Sequence, residues 1–154
     1  MSSETQAVDG LRILVADSHP AVRKSLRTLL EERPQWRVVA EAADGREAVR
    51  QAEQTIPDVI VMDVALPLLN GIEATRQIVR RVPTARVVIL STHADEAYVA
   101  LLLDAGAVGY LLKYGADVDL VPAVTAVASG EVFVSSGIPR RVVGNRGRTT
   151  TPSG

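Results

Sequence analysis

Five short runs of mostly Val, Ile and Leu recur along this chain of 154 residues, and they constrain its fold more than any other feature. Their first residues lie 22 to 28 residues apart. Such gaps are too long for hairpins but accommodate a crossover helix between two parallel strands. Because the runs are continuously apolar, they are typical of strands buried on both faces of a parallel sheet. The runs are LRILVA (11–16), WRVVAEA (36–42), DVIVMD (58–63), RVVILS (86–91) and VGYLLK (108–113).

The segments between these runs predict helices. Residues 20–32 carry apolar side chains at helical spacing, and Pro20 suits the first helical turn. Asp44 and Asp95 are predicted N-caps of the second and fourth helices, and Gly106 is predicted to end the fourth. Because a strand and a helix alternate five times, the chain is expected to form an α/β fold with a doubly wound five-stranded parallel sheet. The expected strand order is 2-1-3-4-5.

The fifth predicted helix extends to Gly130 and contains Pro122. If this helix began at Asp117, Pro122 would lie past the first turn, lose the hydrogen bond to the Val118 carbonyl and clash, at a cost of about 3 kcal/mol. With Asp119 as the N-cap, Pro122 becomes the third helical residue, where no intrahelical donor is needed. The sequence therefore predicts a helix boundary or a kink near Asp119.

The chain length suits one compact domain with a short segment at each end. Residues 1–10 are polar and are predicted to be disordered, and residues 11–131 hold all five apolar runs. Residues 132–154 are predicted to be a linker or tail, because four arginines occur within nine residues after Pro139 and no apolar period continues there. We expect no output domain in this chain.

Composition excludes several classes of function. The formal charge is −1, which argues against a protein that coats nucleic acid with positive charge. One Trp, three Tyr and one Phe are too few for a base-stacking platform, and the absence of Cys excludes disulfides and thiolate metal sites. The most apolar stretch, residues 98–112, falls short of the roughly 20 residues that a spanning helix needs. We expect a cytoplasmic protein with no membrane contact.

Polar or charged side chains follow four of the five runs. Asp17, Asp63 and Ser91 end or follow the first, third and fourth runs, and Lys113 ends the fifth. In the order 2-1-3-4-5, strands 1 and 3 are neighbours, so Asp17 and Asp63 are expected to meet where the strand order reverses. Carboxylates suit Mg²⁺, and Lys and Ser suit phosphate oxygens. The sequence therefore predicts a site for a divalent cation and a phosphoryl group.

Four motifs that occur in order carry a resemblance to a known family. They are VADSHPAVRKSLRTLL, DVIVMDVALPLLNGIEATRQI, VVILSTHADEAYV and AGAVGYLLK. Together they resemble the receiver domain of bacterial two-component response regulators, in the branch whose members usually carry a C-terminal helix-turn-helix of the LuxR/NarL/FixJ type. The resemblance covers about residues 11–131. It implies the flavodoxin-like receiver fold and a role in phosphorelay signal transduction.

The resemblance also implies roles for individual residues. Asp63 matches the aspartate that accepts a phosphoryl group from a sensor histidine kinase. Lys113 matches the lysine that pairs with the phosphate, and Ser91 matches the hydroxyl residue that senses it. Tyr110 matches the aromatic residue that changes orientation as part of the switch. The expected function is thus a phospho-acceptor domain that controls dimerisation or a transcriptional output domain, and not an enzyme.

The metal site implied by the resemblance departs from the family pattern. Asp17, Asp63 and the backbone carbonyl of Ala65 match the groups that hold Mg²⁺. Ser18 stands where the family normally has its second acidic residue, so Mg²⁺ binding is expected to be weakened. Tyr114 follows Lys113 where many relatives have Pro. The alternative hypothesis is a pseudo-receiver, a protein-binding module that acts without phosphorylation because Ser18 replaces that acid.

Other classes of the same general topology fit less well. Flavodoxin-type domains need a phosphate loop rich in Ser, Thr and Gly after strand 1, whereas this chain has DSHP. Haloacid-dehalogenase enzymes need Asp-x-Asp there, which the sequence beginning at Asp17 does not provide. His19 and His93 lie at the same predicted edge, so a site with two histidine ligands is a further alternative.

Partners can be inferred from the fourth predicted helix. Val99, Leu101, Leu102 and Leu103 cannot all face inward from one helix, so part of this region is expected to stay exposed. We expect a homodimer or an output-domain contact through helix 4, strand 5 and helix 5, or through helix 1. Alternatively, adjacent loops or residues 132–142 cover these side chains. DNA is expected to be contacted only through a helix-turn-helix domain that this chain lacks.

Overall fold

The computed structural model describes residues 10–144, apart from the side chain of Arg140, and contains one parallel sheet. The sheet order is β2-β1-β3-β4-β5-β6, and every neighbouring pair is parallel. The predicted fold class and the order of the first five strands are therefore confirmed. The strands are β1 (Arg12–Ala16), β2 (Arg37–Ala42), β3 (Val59–Asp63), β4 (Arg86–Ser91), β5 (Gly109–Leu112) and β6 (Phe133–Val134).

Five α-helices cover the two faces of the sheet. They are α1 (Pro20–Glu31), α2 (Gly45–Thr55), α3 (Gly71–Arg81), α4 (Glu96–Ala105) and α5 (Ala116–Ala128). Buried side chains of α2, α3 and α4 form the core on one face, and those of α1 and α5 form the core on the other. Residues 13–16 of β1 alternate between these two cores, which explains why this part of the strand is continuously apolar. No helix within residues 10–144 is long and apolar enough to cross a membrane.

The predicted helix ends at three positions are confirmed. The Asp44 side chain accepts a hydrogen bond from the Glu47 amide at 2.8 Å and begins α2. Asp95 accepts one from the Tyr98 amide at 3.2 Å and begins α4. Gly106, with φ of +117°, ends α4 in the left-handed region that glycine adopts without steric cost.

The sheet has a sixth strand that the sequence analysis missed. The Phe133 amide donates to the Val108 carbonyl and the Ser135 amide donates to the Tyr110 carbonyl, both at 3.0 Å. Beyond β6, Ile138 and Val142 are buried in the core on the α4 face. The segment that was expected to be a linker or tail thus packs on the domain as far as the description extends. The predicted disorder of residues 1–9 and the last part of the predicted tail, from 145 onward, lie outside the described residues.

The predicted start of this helix near Asp119 is wrong, whereas the alternative of a kink near Asp119 stays a prediction. Helix α5 begins at Ala116, directly after a 3₁₀ turn formed by Lys113–Gly115, and Pro122 lies inside it. Pro122 and Val118 both lie on the solvent-facing side of α5, so the Val118 carbonyl that loses its partner can be hydrated. Ala116 and Leu120 are buried against the sheet, and their burial favours the earlier start.

Candidate functional site

The ends of four neighbouring strands bring the predicted site residues to one edge of the sheet. Asp17 directly follows β1, Asp63 is the last residue of β3, and Ser91 is the last residue of β4. Lys113 follows β5 as the first residue of the 3₁₀ turn. Because all strands are parallel, their carboxyl ends share this edge, and the point where strand order reverses lies between β1 and β3.

The Lys113 ammonium bridges the two carboxylates. Its Nζ atom lies 3.2 Å from Asp63 Oδ2 and 3.6 Å from Asp17 Oδ2. Both carboxylates are buried, whereas the Lys113 side chain is 30% exposed. One positive charge therefore faces two negative charges in a partly desolvated site. Such a site has a surplus of negative charge that favours a further cation.

Only one oxygen of the Asp17 carboxylate accepts hydrogen bonds. Oδ1 accepts a hydrogen bond from the His19 amide at 2.8 Å and lies 3.2 Å from Nδ1 of the His19 ring. Oδ2 is buried and has no hydrogen-bond partner among the described residues. The Arg23 guanidinium donates to the Asp17 backbone carbonyl at 2.7 Å and also to the Glu41 carboxylate at 2.9 Å, which fixes the main chain here.

The loop after Asp63 is anchored at several points. Oδ1 of Asp63 accepts a hydrogen bond from the Ala65 amide at 3.1 Å. The Gly71 amide donates to the Val64 carbonyl, and a Cβ atom at Gly71 would come within 2.6 Å of Val64 Cα. Leu68 has φ of +68°, an unfavourable conformation for a leucine, and its side chain is exposed. The backbone beside Asp63 is therefore tightly constrained and locally strained.

A second group of contacts links Ser91 to Tyr110. Ser91 Oγ accepts a hydrogen bond from the His93 amide at 2.9 Å, and the Tyr110 hydroxyl donates to the His93 carbonyl at 2.8 Å. Tyr110 is fully buried. Desolvation raises the pKa of Tyr110 to about 12, although a hydrogen bond with Ser91 acts in the opposite direction. His93 thus connects the end of β4 with the aromatic ring of β5.

The two carboxylates of Asp17 and Asp63 suit a hard divalent cation, although they offer it few protein ligands. Oδ2 of Asp17, which accepts no hydrogen bond among the described residues, and the Asp63 carboxylate are oxygen donors of the type that Mg²⁺ prefers. Within the described part of the chain, no cluster of three or more His, Cys, Asp or Glu residues could hold a metal. A cation here would therefore rely on two carboxylates, a backbone carbonyl such as that of Ala65, and water.

The remaining candidate residues occupy separate positions. Ser18 is partly exposed, and its hydroxyl lies 3.4 Å from Nδ1 of His19. The His93 ring packs at 4.6 Å from the Tyr98 ring, whereas the His19 ring lies beside Asp17. The two histidines thus have different partners. Arg23 was not predicted as part of the site, because a contact with a backbone carbonyl corresponds to no sequence motif.

The apolar side chains of α4 are only partly exposed. Val99 and Leu102 are fully buried in the same core as Ile138 and Val142 of the segment after β6, whereas Leu101 is 44% exposed. The Arg141 side chain forms an ion pair with Glu96 at the start of α4. Tyr114, in the 3₁₀ turn before α5, is 78% exposed, and Val118, in the first part of α5, is 71% exposed.

Comparison with known proteins places these features in one family. Residues 13–125 match the family described as the response regulator receiver domain. The chain is 38% identical over 133 residues to the transcriptional regulatory protein DegU of Brevibacillus brevis, covering 86% of this chain and 56% of that protein. It is 37% identical to the transcriptional regulatory protein LiaR of Bacillus subtilis, covering 86% of this chain and 63% of that protein. The chain therefore spans only about three-fifths of these relatives.

Solved structures give the same result. A two-component response regulator of the LuxR family from Aurantimonas sp. SI85-9A1 matches with a TM-score of 0.81 and 41% identity, covering 88% of this chain and 97% of that one. The isolated receiver domain of RcsB from Salmonella enterica serovar Typhimurium, solved with the phosphomimetic BeF₃⁻, matches with a TM-score of 0.78 and 26% identity. That match covers 86% of this chain and 98% of the RcsB chain.

Proposed function

The chain belongs to the response regulator receiver domain family, and we propose that it is a phospho-acceptor domain whose acceptor is Asp63. The observation that carries this proposal is the position of Asp63 at the end of β3, buried and paired with Lys113 at 3.2 Å. A buried carboxylate paired with an ammonium group is typical of a nucleophile in a functional site, whereas an ordinary surface carboxylate is solvated.

In the proposed reaction, an Asp63 carboxylate oxygen attacks the phosphorus of a phosphohistidine or a small phospho-donor. The new oxygen–phosphorus bond forms as the donor's nitrogen–phosphorus bond breaks, and the leaving nitrogen takes up a proton. The Lys113 ammonium is placed to neutralise the transferred oxygens, because it already contacts Asp63 Oδ2. Catalysis here consists of positioning and electrostatic stabilisation, as is general for phosphoryl transfer.

The residues that would hold Mg²⁺ are Asp17, Asp63 and the Ala65 carbonyl. When bound, the ion would supply positive charge that reduces the repulsion between the two carboxylates and the incoming phosphoryl group. Asp17 contributes the oxygen that has no hydrogen-bond partner among residues 10–144. Because Ser18 offers a neutral hydroxyl in place of a carboxylate, the affinity for Mg²⁺ is expected to be low.

The contacts among Ser91, His93 and Tyr110 support a proposed route for the signal. A phosphoryl group on Asp63 would accept a hydrogen bond from the Ser91 hydroxyl. Turning the Ser91 side chain towards Asp63 would disturb the hydrogen bond that Oγ accepts from the His93 amide. The amide that contacts Ser91 and the carbonyl that contacts Tyr110 both belong to His93. Any movement of the His93 backbone therefore alters its hydrogen bond with the Tyr110 hydroxyl. Phosphorylation would thus shift a two-state equilibrium at β5 and α5.

The proposed partners follow from this scheme. A sensor histidine kinase would supply the phosphoryl group, and a second copy of the domain would bind in response. The exposed side chains of Tyr114 and Val118 support an interface that includes α5. The relatives DegU and LiaR are transcriptional regulatory proteins, so control of transcription through a separate DNA-binding domain is the proposed output.

The proposal is tested by incubating the protein with phosphoramidate and Mg²⁺ and measuring its intact mass. We expect one added phosphoryl group on the protein without substitutions and none on the variant Asp63→Asn. The variant Asp58→Asn is the matched control, because Asp58 is an exposed acid at the opposite end of β3. Failure of the unmodified protein to gain mass, or equal gain by Asp63→Asn, contradicts the proposal.

A second candidate function is a pseudo-receiver that binds a partner protein without phosphorylation. The observation that favours it is Ser18, which leaves the site with two carboxylates, both already contacted by Lys113. In that case incubation with phosphoramidate and Mg²⁺ would leave the mass unchanged. The same mass measurement therefore separates the two functions.

A further inference from the structure

Ser135 connects three segments around the turn that carries Lys113. Its Oγ atom accepts a hydrogen bond from the Leu112 amide at 2.9 Å and donates one to Asp119 Oδ2 at 3.1 Å. Its own amide donates to the Tyr110 carbonyl at 3.0 Å. Ser135 is buried, with 3% of its surface exposed. One side chain thus ties the end of β5, the first part of α5 and the segment after β6.

The turn that carries Lys113 has few constraints of its own. It is a single 3₁₀ turn of Lys113, Tyr114 and Gly115, and no side chain caps its start. Tyr114 is 78% exposed, so it does not anchor the turn by burial. Gly115 leaves the backbone conformationally free. The hydrogen bond from the Leu112 amide to Ser135 Oγ, one residue before Lys113, is therefore a main contact that fixes the position of this turn.

The hydroxyl of Ser135 is well suited to hold that amide. Donation to the negatively charged Asp119 carboxylate increases electron density on Oγ, which strengthens Oγ as an acceptor for the Leu112 amide. Replacing Ser135 with Ala would leave a buried amide without this acceptor. We expect the backbone at Leu112 to shift so that this amide finds another acceptor, and the shift would also displace Lys113, the next residue.

We propose that Ser135 is a positioning residue for phosphoryl transfer: its hydroxyl fixes the turn after β5 and thereby keeps the Lys113 ammonium on the Asp63 carboxylate. This inference rests on the proposed function of Asp63. Ser135 does not touch the reacting atoms, so its contribution reaches the reaction only through the position of Lys113.

The test uses the fact that the chain contains two lysines, Lys24 and Lys113. Protein labelled with ¹³C at the lysine Cε gives one NMR signal for each, and Lys24, which is exposed on α1, serves as an internal reference. In Ser135→Ala we expect the Lys113 signal to move towards that of Lys24, while the Lys24 signal stays in place. Ser135→Thr, which retains the hydroxyl group, is expected to keep the Lys113 signal close to its original position.

The second measurement is the rate of phosphorylation by phosphoramidate at saturating Mg²⁺. Ser135→Ala is expected to slow it about fivefold to tenfold, the effect expected from losing one buried hydrogen bond. Ser135→Thr is expected to restore the rate to within about twofold. Val38→Ala controls for a general loss of stability, because Val38 is buried in β2 at the opposite edge of the sheet.

The outcomes separate the two proposals. An unmoved Lys113 signal in Ser135→Ala overturns the positioning role, and so does an equal loss of rate in Val38→Ala. If the unmodified protein gains no phosphoryl group, the proposed function fails. In that case the lysine spectrum alone decides whether Ser135 positions Lys113.

Discussion

The hydroxyl of Tyr110 donates a 2.8 Å hydrogen bond to the backbone carbonyl of His93. This bond allows a phenol to be fully buried in the core, because its one polar group has a partner. The carbonyl belongs to the residue whose amide donates to Ser91 at the end of β4. The ring of Tyr110 is therefore held inward by the same short segment that contacts the candidate phosphoryl site.

The buried phenol predicts a loss of stability at high pH. The pKa of Tyr110 is raised to about 12 from 10.0, so the folded state retains a proton that the unfolded state loses. The stabilisation is complete below pH 10 and falls as the pH rises from 10 towards 12. The expected total loss is on the order of 2 kcal/mol. Urea unfolding of the unmodified protein and Tyr110→Phe at several pH values measures it.

The comparison with Tyr110→Phe isolates this contribution, because other groups titrate equally in both proteins. The difference in unfolding free energy between the two proteins should shrink above pH 10. A difference that stays constant from pH 8 to pH 11.5 would show that Tyr110 does not behave as a buried phenol.

Mg²⁺ binding is expected to strengthen in Ser18→Asp. An added carboxylate about 4 Å from the ion contributes on the order of 4 kcal/mol at an effective dielectric constant near 20, before desolvation is subtracted. Even a third of this figure raises the affinity roughly tenfold. Titration of Mg²⁺ followed by amide chemical shifts measures the effect, and Ser18→Asn controls for side-chain size. Equal affinities for Asp and Asn would mean that residue 18 is not beside the metal.

Without Mg²⁺, Ser18→Asp is expected to lower stability. Three carboxylates would then surround the single ammonium of Lys113, and their mutual repulsion disfavours the folded state. A loss of about 1 kcal/mol is expected at pH 7, because position 18 is partly exposed and solvent screens the charge. Thermal unfolding in a chelating buffer measures it. The loss should shrink near pH 4, and an unchanged or higher Tm at pH 7 contradicts the expectation.

Self-association is expected to depend on the exposed start of α5. Val118→Glu places a charge on the exposed side of the helix and should reduce dimerisation without unfolding the domain, because Val118 contributes little to the core. Light scattering over a range of concentrations measures the mass. Ile56→Glu, an exposed apolar position at the end of α2, is the matched control. Leu102→Glu is unsuitable because Leu102 is fully buried.

Replacing the proline inside α5 is expected to stabilise the domain. Pro122→Ala restores an amide that can donate to the Val118 carbonyl and removes a steric clash, while the unfolded chain gains some entropy. The net gain should be about 1 to 2 kcal/mol in the free energy of unfolding. Pro83→Ala, at an exposed position outside the helices, should bring no such gain. Equal effects of the two substitutions in urea unfolding would rule out a helical origin.

The five-stranded parallel sheet was predictable because five apolar runs are spaced for crossover helices. The order 2-1-3-4-5 is one of two common doubly wound orders, and it is the one that the resemblance to receiver domains implies. The same topology brings Asp17, Asp63 and Lys113 to one edge, since each directly follows or ends a strand. Residue type and strand position were therefore enough to predict that these side chains lie near one another.

Features that depend on tertiary contacts were not predictable in this way. Strand β6 has two residues, too few to show a period, and it is held by backbone hydrogen bonds to β5. The start of α5 is set by burial of Ala116 and Leu120, which outweighs the local effect of Pro122. The partner of the Tyr110 hydroxyl is a backbone carbonyl, a group that every residue carries and no sequence pattern reveals.

Strand β6 also determines how much of the chain is needed for a well-behaved domain. A polypeptide cut after residue 131 would lose β6 and leave the backbone of β5 unpaired along one edge, with the apolar side of α4 uncovered. Unpaired edges of this kind recruit strands from other molecules. Such a shortened domain would be prone to aggregation, and any association that it showed in solution would reflect the missing strand and not the signalling state of Asp63.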